Sequence, residues 1–479
     1  MKIVFASSEA APFIKTGGLG DVAQALPKAL SEYKGNEILL FLPYYKSIKN
    51  NPAFEVERVA EFSTSLSWRN AYVGLMRLKS RKRKLRIYFI DNEQYFNRDS
   101  IYGHLDDGER FAFFSKAILE SLVYINERPD IIHCNDWQTA LLPVLLHAFY
   151  GDKLGQVKTM FTIHNIEYQG WAHPYFLGDV LGLPDDYQDV FSYNGSVNFM
   201  KGAILSSNSV TTVSETYANQ IRYPYYAHGL SSVIDSHSFK LTGIVNGIDT
   251  LVNNPSSDPH IPENYDAYTF EDKKPICKTE LQRQCGLPVR ADVPLIGLVS
   301  RLVEHKGLEI MCGAIDEVMS LDVQFVIVGT GDEKYEDILR KTAERYPDKM
   351  SLNLCFSQTM ASQIYAGSDM YLMPSKSEPC GLSQLLAMNY GSVPIVHETG
   401  GLKDTVIPFN YASGEGFGFT FQSFKEQDML DALNRALNVY HNQKDAWKKA
   451  VYNGMIADFS WNKPAKKYME LYESLIKNA

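Results

Sequence analysis

Short runs of aliphatic and β-branched residues recur in both halves of the chain, and segments with helical spacing separate them. In the first half the runs cover residues 2–6, 38–42, 87–91, 130–134, 159–163, 210–213 and 241–245. In the second half they cover residues 295–299, 325–328, 351–354, 370–373 and 393–396, with helical spacing over 307–321 and 333–346. The runs are apolar throughout, which predicts parallel strands covered on both faces. Strand–helix alternation in both halves predicts an α/β chain of two doubly wound domains.

The length supports two domains, because 479 residues exceed one ordinary core and suit two domains of about 200–250 residues. Residues 253–275 are polar, contain four prolines and lack periodicity, which predicts a surface connection opening the second domain. Residues 458–477 have helical spacing. We therefore expect a first domain over 1–248, a second over 249–457 and a terminal helix over 458–479.

The net charge limits the classes of binding partner: 47 Lys and Arg against 56 Asp and Glu give −9. This argues against nucleic acid, but a few local cations suffice for a small anion. One basic run spans residues 79–84. It reads as a hairpin tip between strands ending near Leu78 and starting near Leu85, in preference to a nuclear or nucleic-acid patch. Weak binding of an anionic polymer stays open there.

The cellular compartment follows from the cysteines and the apolar segments. The six cysteines are dispersed without a Cys-x-x-Cys pair, as in a reducing compartment, and predict neither a disulfide framework nor a zinc cluster. The N-terminal apolar run is too short for a signal peptide, and no stretch approaches the roughly 18 apolar residues of a membrane span. We expect a cytoplasmic enzyme with no membrane partner; nothing in the sequence sets an oligomeric state.

A glycine-rich loop, Lys-Thr-Gly-Gly-Leu-Gly-Asp-Val at residues 15–22, follows the first run and precedes a helical segment. Its glycines let the backbone approach a ligand, the helix start favours anions, and Lys15 adds a mobile cation. The spacing is neither a Walker loop nor Gly-x-Gly-x-x-Gly. On this segment alone, a tight strand–helix turn explains it equally well.

A second cluster, Ser-Arg-Leu-Val-Glu-His-Lys-Gly at residues 300–307, directly follows a buried run. Arg301 and Lys306 therefore emerge at the carboxyl end of a strand, where open α/β sheets bind ligands. A forked guanidinium and a compact ammonium suit a diphosphate. A solvated helix start with incidental salt bridges is the alternative.

A third cluster, Ser-Glu-Pro-Cys-Gly-Leu-Ser-Gln at residues 377–384, sets Glu378 beside the backbone donors of a helix entry. Cys380 lacks a recognisable His or Asn partner nearby, so a small buried residue is favoured over a thiol nucleophile. The turn Thr-Gly-Gly-Leu-Lys-Asp at residues 399–404 follows the next run and resembles the first glycine loop.

Together these segments, with Tyr390-Gly391, residues 399–406 and Asp-Phe-Ser-Trp at 458–461, resemble bacterial glycogen synthases and plant starch synthases. The resemblance spans nearly the whole chain in the right order, and the lysine–double-glycine loop combined with Glu-Pro-Cys-Gly-Leu is highly specific. It implies a retaining glycosyltransferase of the GT-B fold, with two Rossmann-like domains, a cleft between them and a C-terminal helix packing back on the first domain. It also implies glucose transfer from a nucleotide diphosphate sugar to the non-reducing 4-hydroxyl of an α-1,4-glucan.

The resemblance also assigns roles to residues of this chain. Glu378, His164, Lys306 and Arg301 are the catalytic set: the two cations neutralise the diphosphate, Glu378 holds glucose hydroxyls, and His164 lies near the reacting carbon. The substrate-binding set is Lys15, Gly17, Gly18, Asp21, Asp136, Asn246, Tyr95, Phe356, Cys380, Gly381, Leu382, Thr399 and Gly400. Within it, Lys15 and the Gly17-Gly18 backbone face the donor, Asp136 binds sugar hydroxyls, and Tyr95 contacts the acceptor. Without the resemblance, a lone strand-end histidine such as His164 is more often structural.

The chemistry of glucose transfer agrees with these residue roles. Cations and amides at the diphosphate stabilise the negative charge that develops as it leaves. No second carboxylate pairs with Glu378, because Leu386 stands eight positions on, which favours same-face attack over double displacement. No Asp-x-Asp metal signature stands out, so we expect no metal and no other cofactor.

Some residues depart from the family pattern. The segment 133–138 reads His-Cys-Asn-Asp-Trp-Gln where His-x-His-Asp-Trp-His is usual, and His305 replaces the usual Gln. Phe356 stands where an aromatic residue, often Tyr, would stack on the base; stacking survives in Phe but the hydroxyl contact does not. The choice between ADP-glucose and UDP-glucose therefore stays open, with ADP-glucose favoured. Two other classes of protein fit these residues less well. The chain lacks the Gly-x-Gly-x-x-Gly motif that a nicotinamide-dependent dehydrogenase would carry. A protein that only binds glucan would not need Lys15, Arg301, Lys306 and Glu378.

Overall fold

The computed structural model describes residues 1–80 and 84–477 and divides into two compact units. Unit 1 comprises Met1–Asn246 and the segment from Trp461 onward, and unit 2 comprises Gly247–Ser460. The central part of the basic run, residues 81–83, lies outside the described residues. None of the helices in the described ranges combines the length and apolar character that a membrane span needs.

Unit 1 is built on a nine-stranded sheet in the order β12-β11-β7-β6-β1-β2-β5-β4-β3. Its strands are β1 (Lys2–Ala6), β2 (Glu37–Pro43), β3 (Val56–Leu66), β4 (Arg69–Leu78), β5 (Leu85–Asp91), β6 (Ile131–Asn135), β7 (Lys158–Ile163), β11 (Ser209–Thr212) and β12 (Leu241–Gly243). A separate small antiparallel sheet holds β8 (Trp171–Ala172), β9 (Ser192–Tyr193) and β10 (Ser196–Asn198). The seven apolar runs predicted in the first half are all strands of the large sheet, and all of them except the edge strand β12 have buried central residues.

The large sheet is not wholly parallel, because β3 and β4 form a long antiparallel hairpin and β4 pairs antiparallel with β5. The pairing of Arg77 with Tyr88 confirms the predicted hairpin between strands ending near Leu78 and starting near Leu85. The sequence analysis did not predict β3, since its burial alternates with an exposed polar face and it lacks a continuous apolar run.

Unit 2 carries a six-stranded, entirely parallel sheet in the order β15-β14-β13-β16-β17-β18. Its strands are β13 (Leu295–Val299), β14 (Gln324–Val328), β15 (Met350–Asn353), β16 (Met370–Met373), β17 (Val393–His397) and β18 (Phe419–Phe421). The five runs predicted in the second half are all present. The three-residue edge strand β18 was missed, because so short a segment carries little periodic signal.

Helices cover both large sheets. In unit 1 they are α1 (Gly18–Ser31), α2 (Lys46–Lys49), α3 (Glu93–Phe96), α4 (Asp107–Tyr124), α5 (Leu141–Leu145), α6 (Gly151–Leu154), α7 (Gln188–Phe191), α8 (Phe199–Ser206), α9 (Glu215–Gln220), α10 (Ser231–Ser236) and α20 (Asn462–Lys477). In unit 2 they are α11 (Phe270–Gln284), α12 (Leu308–Gly313), α13 (Ile315–Ser320), α14 (Glu333–Arg345), α15 (Gln358–Gly367), α16 (Ser383–Asn389), α17 (Gly400–Thr405), α18 (Glu426–Asn442) and α19 (Lys444–Ile456). The helix predicted over 307–321 is therefore two helices that meet at Ala314.

The predicted surface connection over 253–275 is wrong at its end, since α11 begins at Phe270 and contains Pro275. The ammonium of Lys274 is buried and donates to the carbonyls of Ala366 and Tyr390 at 2.7 and 3.1 Å. Tyr265, before the helix, is also buried. Tertiary contacts thus hold a helix that contains a proline, against its local propensity.

The C-terminal helix α20 packs on unit 1, as the resemblance implies. The hydroxyl of Tyr472 lies 2.7 Å from Nδ1 of His133 at the centre of the sheet, and Nδ2 of Asn36 contacts the Met469 sulfur at 3.1 Å. The chain therefore ends on the domain with which it begins.

Candidate active-site residues at the carboxyl ends of two sheets

Three polar residues of unit 1 follow three neighbouring parallel strands: Glu9 comes after β1, Asp136 directly after β6 and His164 directly after β7. The carboxyl ends of parallel strands meet at one edge of the sheet, which is where open α/β folds bind ligands. The charge of Glu9 helps to raise the pKa of Asp136, which agrees with their common place at this edge. The fold thus brings residues distant in sequence to a single edge.

Asp136 is the best-defined residue of this group. Its Oδ1 accepts the backbone N–H groups of His164 at 2.7 Å and Asn165 at 3.4 Å. Burial raises the pKa of Asp136 to about 7, and the nearby charge of Glu9 adds to the rise. Its backbone has φ 57° and ψ 180°, a region that costs non-glycine residues about 1–3 kcal/mol and is found mostly at functional sites.

His164 is held as a neutral ring of known tautomer. Asn135 donates its amide to the Ala6 carbonyl at 3.0 Å, so its Oδ1 is an acceptor and the His164 Nε2, 2.9 Å away, is the donor. Burial lowers the pKa of His164 to about 3, which keeps the ring uncharged at neutral pH. Its Nδ1 is then an acceptor.

His133, in the segment that departs from the family pattern, is part of the interior. It lies between Tyr472 and the hydroxyl of Thr162, 2.6 Å from Nε2, and burial lowers its pKa to about 3. This residue therefore ties the C-terminal helix to the sheet.

The glycine-rich loop enters α1 at Gly18, with Gly17 as its N-cap. The backbone of both glycines is exposed, and a Cβ added at Gly17 would meet no atom within 4 Å. The ammonium of Lys15 is not the mobile cation that the sequence analysis expected, because it pairs with Asp21 at 2.7 Å. Packing does not require glycine at position 17, so this position has room for a ligand.

Glu9 is a residue of this edge that the sequence analysis missed. Its side chain is buried, and its carboxylate accepts from the Thr16 hydroxyl at 3.1 Å and from the backbone N–H groups of Thr16 and Gly17. The Tyr102 hydroxyl also contacts it at 3.2 Å. Burial raises the pKa of Glu9. An acid directly after a buried strand and before a glycine loop was the available signal.

Asn246 and Tyr95 are placed differently from this group. Asn246 is buried, and among the described residues its Oδ1 has no hydrogen-bond partner. Tyr95 is 3% exposed, and its hydroxyl donates to Glu109 at 2.7 Å. In this geometry Tyr95 is part of the interior: it follows the carboxyl end of β5, the parallel neighbour of β2, but its hydroxyl is engaged by Glu109.

Unit 2 repeats the arrangement at the carboxyl end of its own sheet. Arg301 follows β13, Glu378 follows β16 and Thr399 follows β17, and these three strands are neighbours. Phe356 follows the edge strand β15, and its ring is 81% exposed. The predicted residues of the second half are therefore gathered at one edge, with Phe356 toward its side.

An ion pair dominates this edge: the Lys306 ammonium lies 2.7 Å from Oε2 of Glu378. The same oxygen accepts from the buried Ser375 hydroxyl at 3.0 Å, and Glu378 is 5% exposed. Arg301 is exposed, with Nη2 3.5 Å from Nε2 of His305. The geometry thus presents one exposed cation beside a buried, paired carboxylate.

The second glycine turn holds the segment that carries Glu378. The Gly401 N–H donates to the Glu378 carbonyl at 3.0 Å, and a Cβ at Gly400 would lie 2.0 Å from that oxygen. A Cβ at Gly401 would lie 2.2 Å from the Cys380 carbonyl oxygen. Cys380 is buried at this contact. This turn therefore differs from the Gly17 loop, since packing against its neighbours demands its glycines.

The segment after Cys380 is also conformationally specified. Gly381 has φ +73°, which favours glycine, and Leu382 is the N-cap of α16. In the described part of the chain, no group of three or more His, Cys, Asp or Glu side chains is placed to hold a metal ion.

Two Rossmann-like units with polar groups at their strand ends define a glycosyltransferase of the GT-B fold, and comparisons with known proteins agree. The family model described as starch synthase catalytic domain matches residues 2–236, and the model described as glycosyl transferases group 1 matches residues 286–454. The chain belongs to the glycogen and starch synthase family.

Its similarity to individual members extends over the full length. A glycogen synthase of Clostridium novyi (strain NT) is 49% identical, with 99% of each chain covered, and one of Caldicellulosiruptor bescii is 47% identical, covering 99% of this chain and all of that one. The catalytic domain of starch synthase IV from Arabidopsis thaliana, bound to ADP and acarbose, is 36% identical with a TM-score of 0.92 over 99% of each chain. A sucrose-phosphate synthase from Thermosynechococcus elongatus, at 17% identity and a TM-score of 0.62, shares the fold.

Proposed function

We propose that this chain is a glycogen synthase that transfers glucose, with retention, from ADP-glucose to the non-reducing 4-hydroxyl of an α-1,4-glucan. The observation that carries the proposal is the partly buried Lys306–Glu378 ion pair at the carboxyl edge of the second sheet. ADP in the starch synthase relative supports the adenine nucleotide as donor. The full-length identity to glycogen synthases supports the glucan as acceptor.

The donor-side residues belong to the domain over 249–457. Arg301 and Lys306 neutralise the diphosphate, which gains negative charge as it leaves, and the backbone N–H groups of Gly381 and Leu382 assist them. Glu378 accepts hydrogen bonds from glucose hydroxyls. The exposed ring of Phe356 supports a stacking role against the base. Cys380, Thr399 and Gly400 complete the donor-binding set, with the two glycines of the turn holding the segment in place.

The acceptor-side residues belong to the domain over 1–248, completed by the helix over 458–479. Asp136 binds sugar hydroxyls, and the neutral His164 lies beside the glucose, where an uncharged ring does not oppose positive charge at the anomeric carbon. Lys15, Asp21 and the Gly17-Gly18 backbone face the donor, and the unpartnered Oδ1 of Asn246 supports a contact to a substrate hydroxyl. Tyr95 acts only indirectly, because its hydroxyl is engaged by Glu109.

The reaction runs by same-face attack without a metal, in the cytoplasm. The acceptor hydroxyl forms a bond to the anomeric carbon as the bond to the diphosphate oxygen breaks, and the departing phosphate takes the hydroxyl proton. Arg301 and Lys306 supply the positive charge that a divalent cation would otherwise provide.

The deciding experiment measures glucose transfer to glycogen by purified protein, with ADP-glucose and UDP-glucose in parallel. We expect higher kcat/KM with ADP-glucose, and a fall in kcat of roughly 10²–10³-fold in Glu378→Gln, which keeps the shape but removes the charge. Asp152→Asn, at an exposed position of unit 1, is the matched control. Transfer from UDP-glucose alone would contradict the proposal that ADP-glucose is the donor. Unchanged turnover in Glu378→Gln would contradict the assignment of Glu378 to the site. A trapped covalent glucosyl-Glu378 would contradict same-face attack.

A further inference from the structure

A buried glutamine, Gln384, packs against the segment that carries Cys380 and Gly381. It lies in the first turn of α16, and its side chain is fully buried. Its Nε2 donates to the carbonyl oxygens of Cys380 and Gly381 at 3.1 and 2.9 Å. The same nitrogen donates to the hydroxyl of Thr405 at 3.1 Å. One amide group thus serves three acceptors on two segments of the chain.

The orientation of the Gln384 amide follows from its surroundings. If the amide were turned over, its oxygen would face two carbonyl oxygens, which have no proton to donate. In the orientation that the structure shows, Oε1 packs against Gly381, where an added Cβ would collide with it. This oxygen has no hydrogen-bond partner among the described residues. Such a buried oxygen is costly, and an apolar side chain of similar size would avoid the cost, so the position needs the donor of glutamine.

Thr405 extends these contacts to the second glycine turn. Its hydroxyl donates to the Gly401 carbonyl at 2.6 Å, so it is an acceptor toward Gln384. The Gly401 N–H in turn donates to the Glu378 carbonyl at 3.0 Å. Gln384 therefore lies at the centre of the hydrogen bonds that join the two segments.

The two carbonyls that Gln384 holds determine where two N–H groups point. The peptide bonds that follow Cys380 and Gly381 are trans, and in a trans peptide the C=O and N–H groups point in opposite directions. Because both carbonyls point toward Gln384, the N–H groups of Gly381 and Leu382 point away from it. Both residues are partly exposed, and within the described ranges neither N–H has a protein acceptor. These are the two N–H groups that the proposed function assigns to the diphosphate.

We infer that Gln384 is a positioning residue that holds the N–H groups of Gly381 and Leu382 in the direction of the donor diphosphate. Its own side chain touches no substrate, because it is fully buried behind them. The inference rests on the proposed function for the role of the two N–H groups. Loss of the Gln384 donor should therefore weaken the contacts to the diphosphate and leave those to the base and the glucan unchanged.

The test measures ADP binding by titration calorimetry in the wild type and in Gln384→Met, which keeps the length of the side chain and removes the donor. We expect the affinity for ADP to fall roughly tenfold, the equivalent of about one hydrogen bond to a charged group. Adenosine, which lacks the diphosphate, should compete equally well for both proteins. In glucose transfer, KM for ADP-glucose should rise and kcat should fall, while KM for glycogen stays unchanged.

The matched control is Gln282→Met. Gln282 is a second fully buried glutamine of unit 2, and among the described residues its Oε1 also lacks a partner. Its Nε2 donates to the Arg290 carbonyl at 3.0 Å and to the Gln324 side chain at 2.7 Å. Gln324 begins β14, so these contacts lie at the amino edge of the sheet, opposite the site. Gln282→Met should also lower the melting temperature, but it should leave the affinity for ADP and both KM values unchanged.

Unchanged affinity for ADP in a folded Gln384→Met overturns the inference. An equal loss of ADP affinity in Gln282→Met, or an equal loss of adenosine affinity in Gln384→Met, overturns it as well. If Gln384→Met does not fold, as judged by its melting curve, Gln384→Asn replaces it, because the shorter side chain keeps the amide but withdraws the donor from the carbonyls. Unchanged affinity for ADP in a folded Gln384→Asn then overturns the inference.

The ADP titration also separates this inference from the proposed function, because it does not depend on turnover. A wild type that binds ADP but transfers no glucose contradicts the proposed function alone. A wild type with no affinity for ADP overturns both.

Discussion

Replacing Asp136 with Asn should stabilise the protein while impairing its activity. The wild-type carboxylate is buried at the end of β6 beside Glu9, and its Oδ1 accepts from the backbone of His164 and Asn165. An Asn side chain has the same shape, keeps an acceptor oxygen for both N–H groups and carries no charge. The substitution therefore removes the cost of a buried charge without removing the hydrogen bonds.

The size of the effect follows from the pKa of Asp136, which burial raises from an ordinary 3.8 to about 7. Each unit corresponds to about 1.4 kcal/mol, so ionising this carboxyl in the folded protein costs about 4 kcal/mol more than in the unfolded chain. Because the folded pKa is the higher one, the folded protein holds the proton more tightly between pH 4 and 7. The free energy of unfolding therefore falls as the pH rises through this window, and Asp136→Asn escapes that loss.

The assay compares calorimetric melting temperatures of wild type and Asp136→Asn from pH 4.5 to pH 8. The advantage of the variant should be small at pH 4.5, grow up to about pH 7 and then stay constant. Asp152→Asn, at an exposed site, should show no such growth. An Asp136→Asn advantage that does not change with pH would refute the reasoning, and full transferase activity in this variant would refute the proposed sugar contact.

Three further predictions concern two glycines and the proposed metal-free reaction. Gly401→Ala places a Cβ 2.2 Å from the Cys380 carbonyl oxygen. The substitution should lower the free energy of unfolding by about 1–3 kcal/mol, measured by thermal melting, and should lower kcat, measured by glucose transfer. Gly17→Ala meets no atom within 4 Å, so its melting temperature should stay unchanged while kcat/KM falls; unchanged kcat/KM would show that no ligand approaches there. Activity should persist in EDTA, and full loss reversed by Mg²⁺ would contradict the proposal.

The apolar runs and the site motifs could be predicted from the sequence because each is a local signal. A strand buried on both faces, such as β7, is largely apolar or β-branched, and a loop such as 15–22 shows its glycines directly in the sequence. The hairpin strand β3 could not be predicted, because its alternating pattern is a weak signal. The start of α11 was also missed, because Pro275 argues against a helix and the contacts of Lys274 that stabilise it form only in the folded unit.

Local sequence patterns also did not determine which charged side chains pair with each other. Lys15 looked like a mobile cation, yet in the structure it is exposed and paired with Asp21. Glu9 carries no motif of its own, and its place at the same sheet edge as Asp136 follows from the neighbouring positions of β1 and β6.

By itself the sequence determined the α/β class, the positions of nearly all parallel strands and the family, because these depend on residue types along the chain. Only the tertiary structure decided which glycines serve packing and which cations are paired. The physical reason is that a pair such as Lys306 and Glu378, 72 positions apart, is set by the neighbouring places of β13 and β16 in the sheet. Burial and hydrogen-bond partners then determine charge, and both exist only once the strands have assembled.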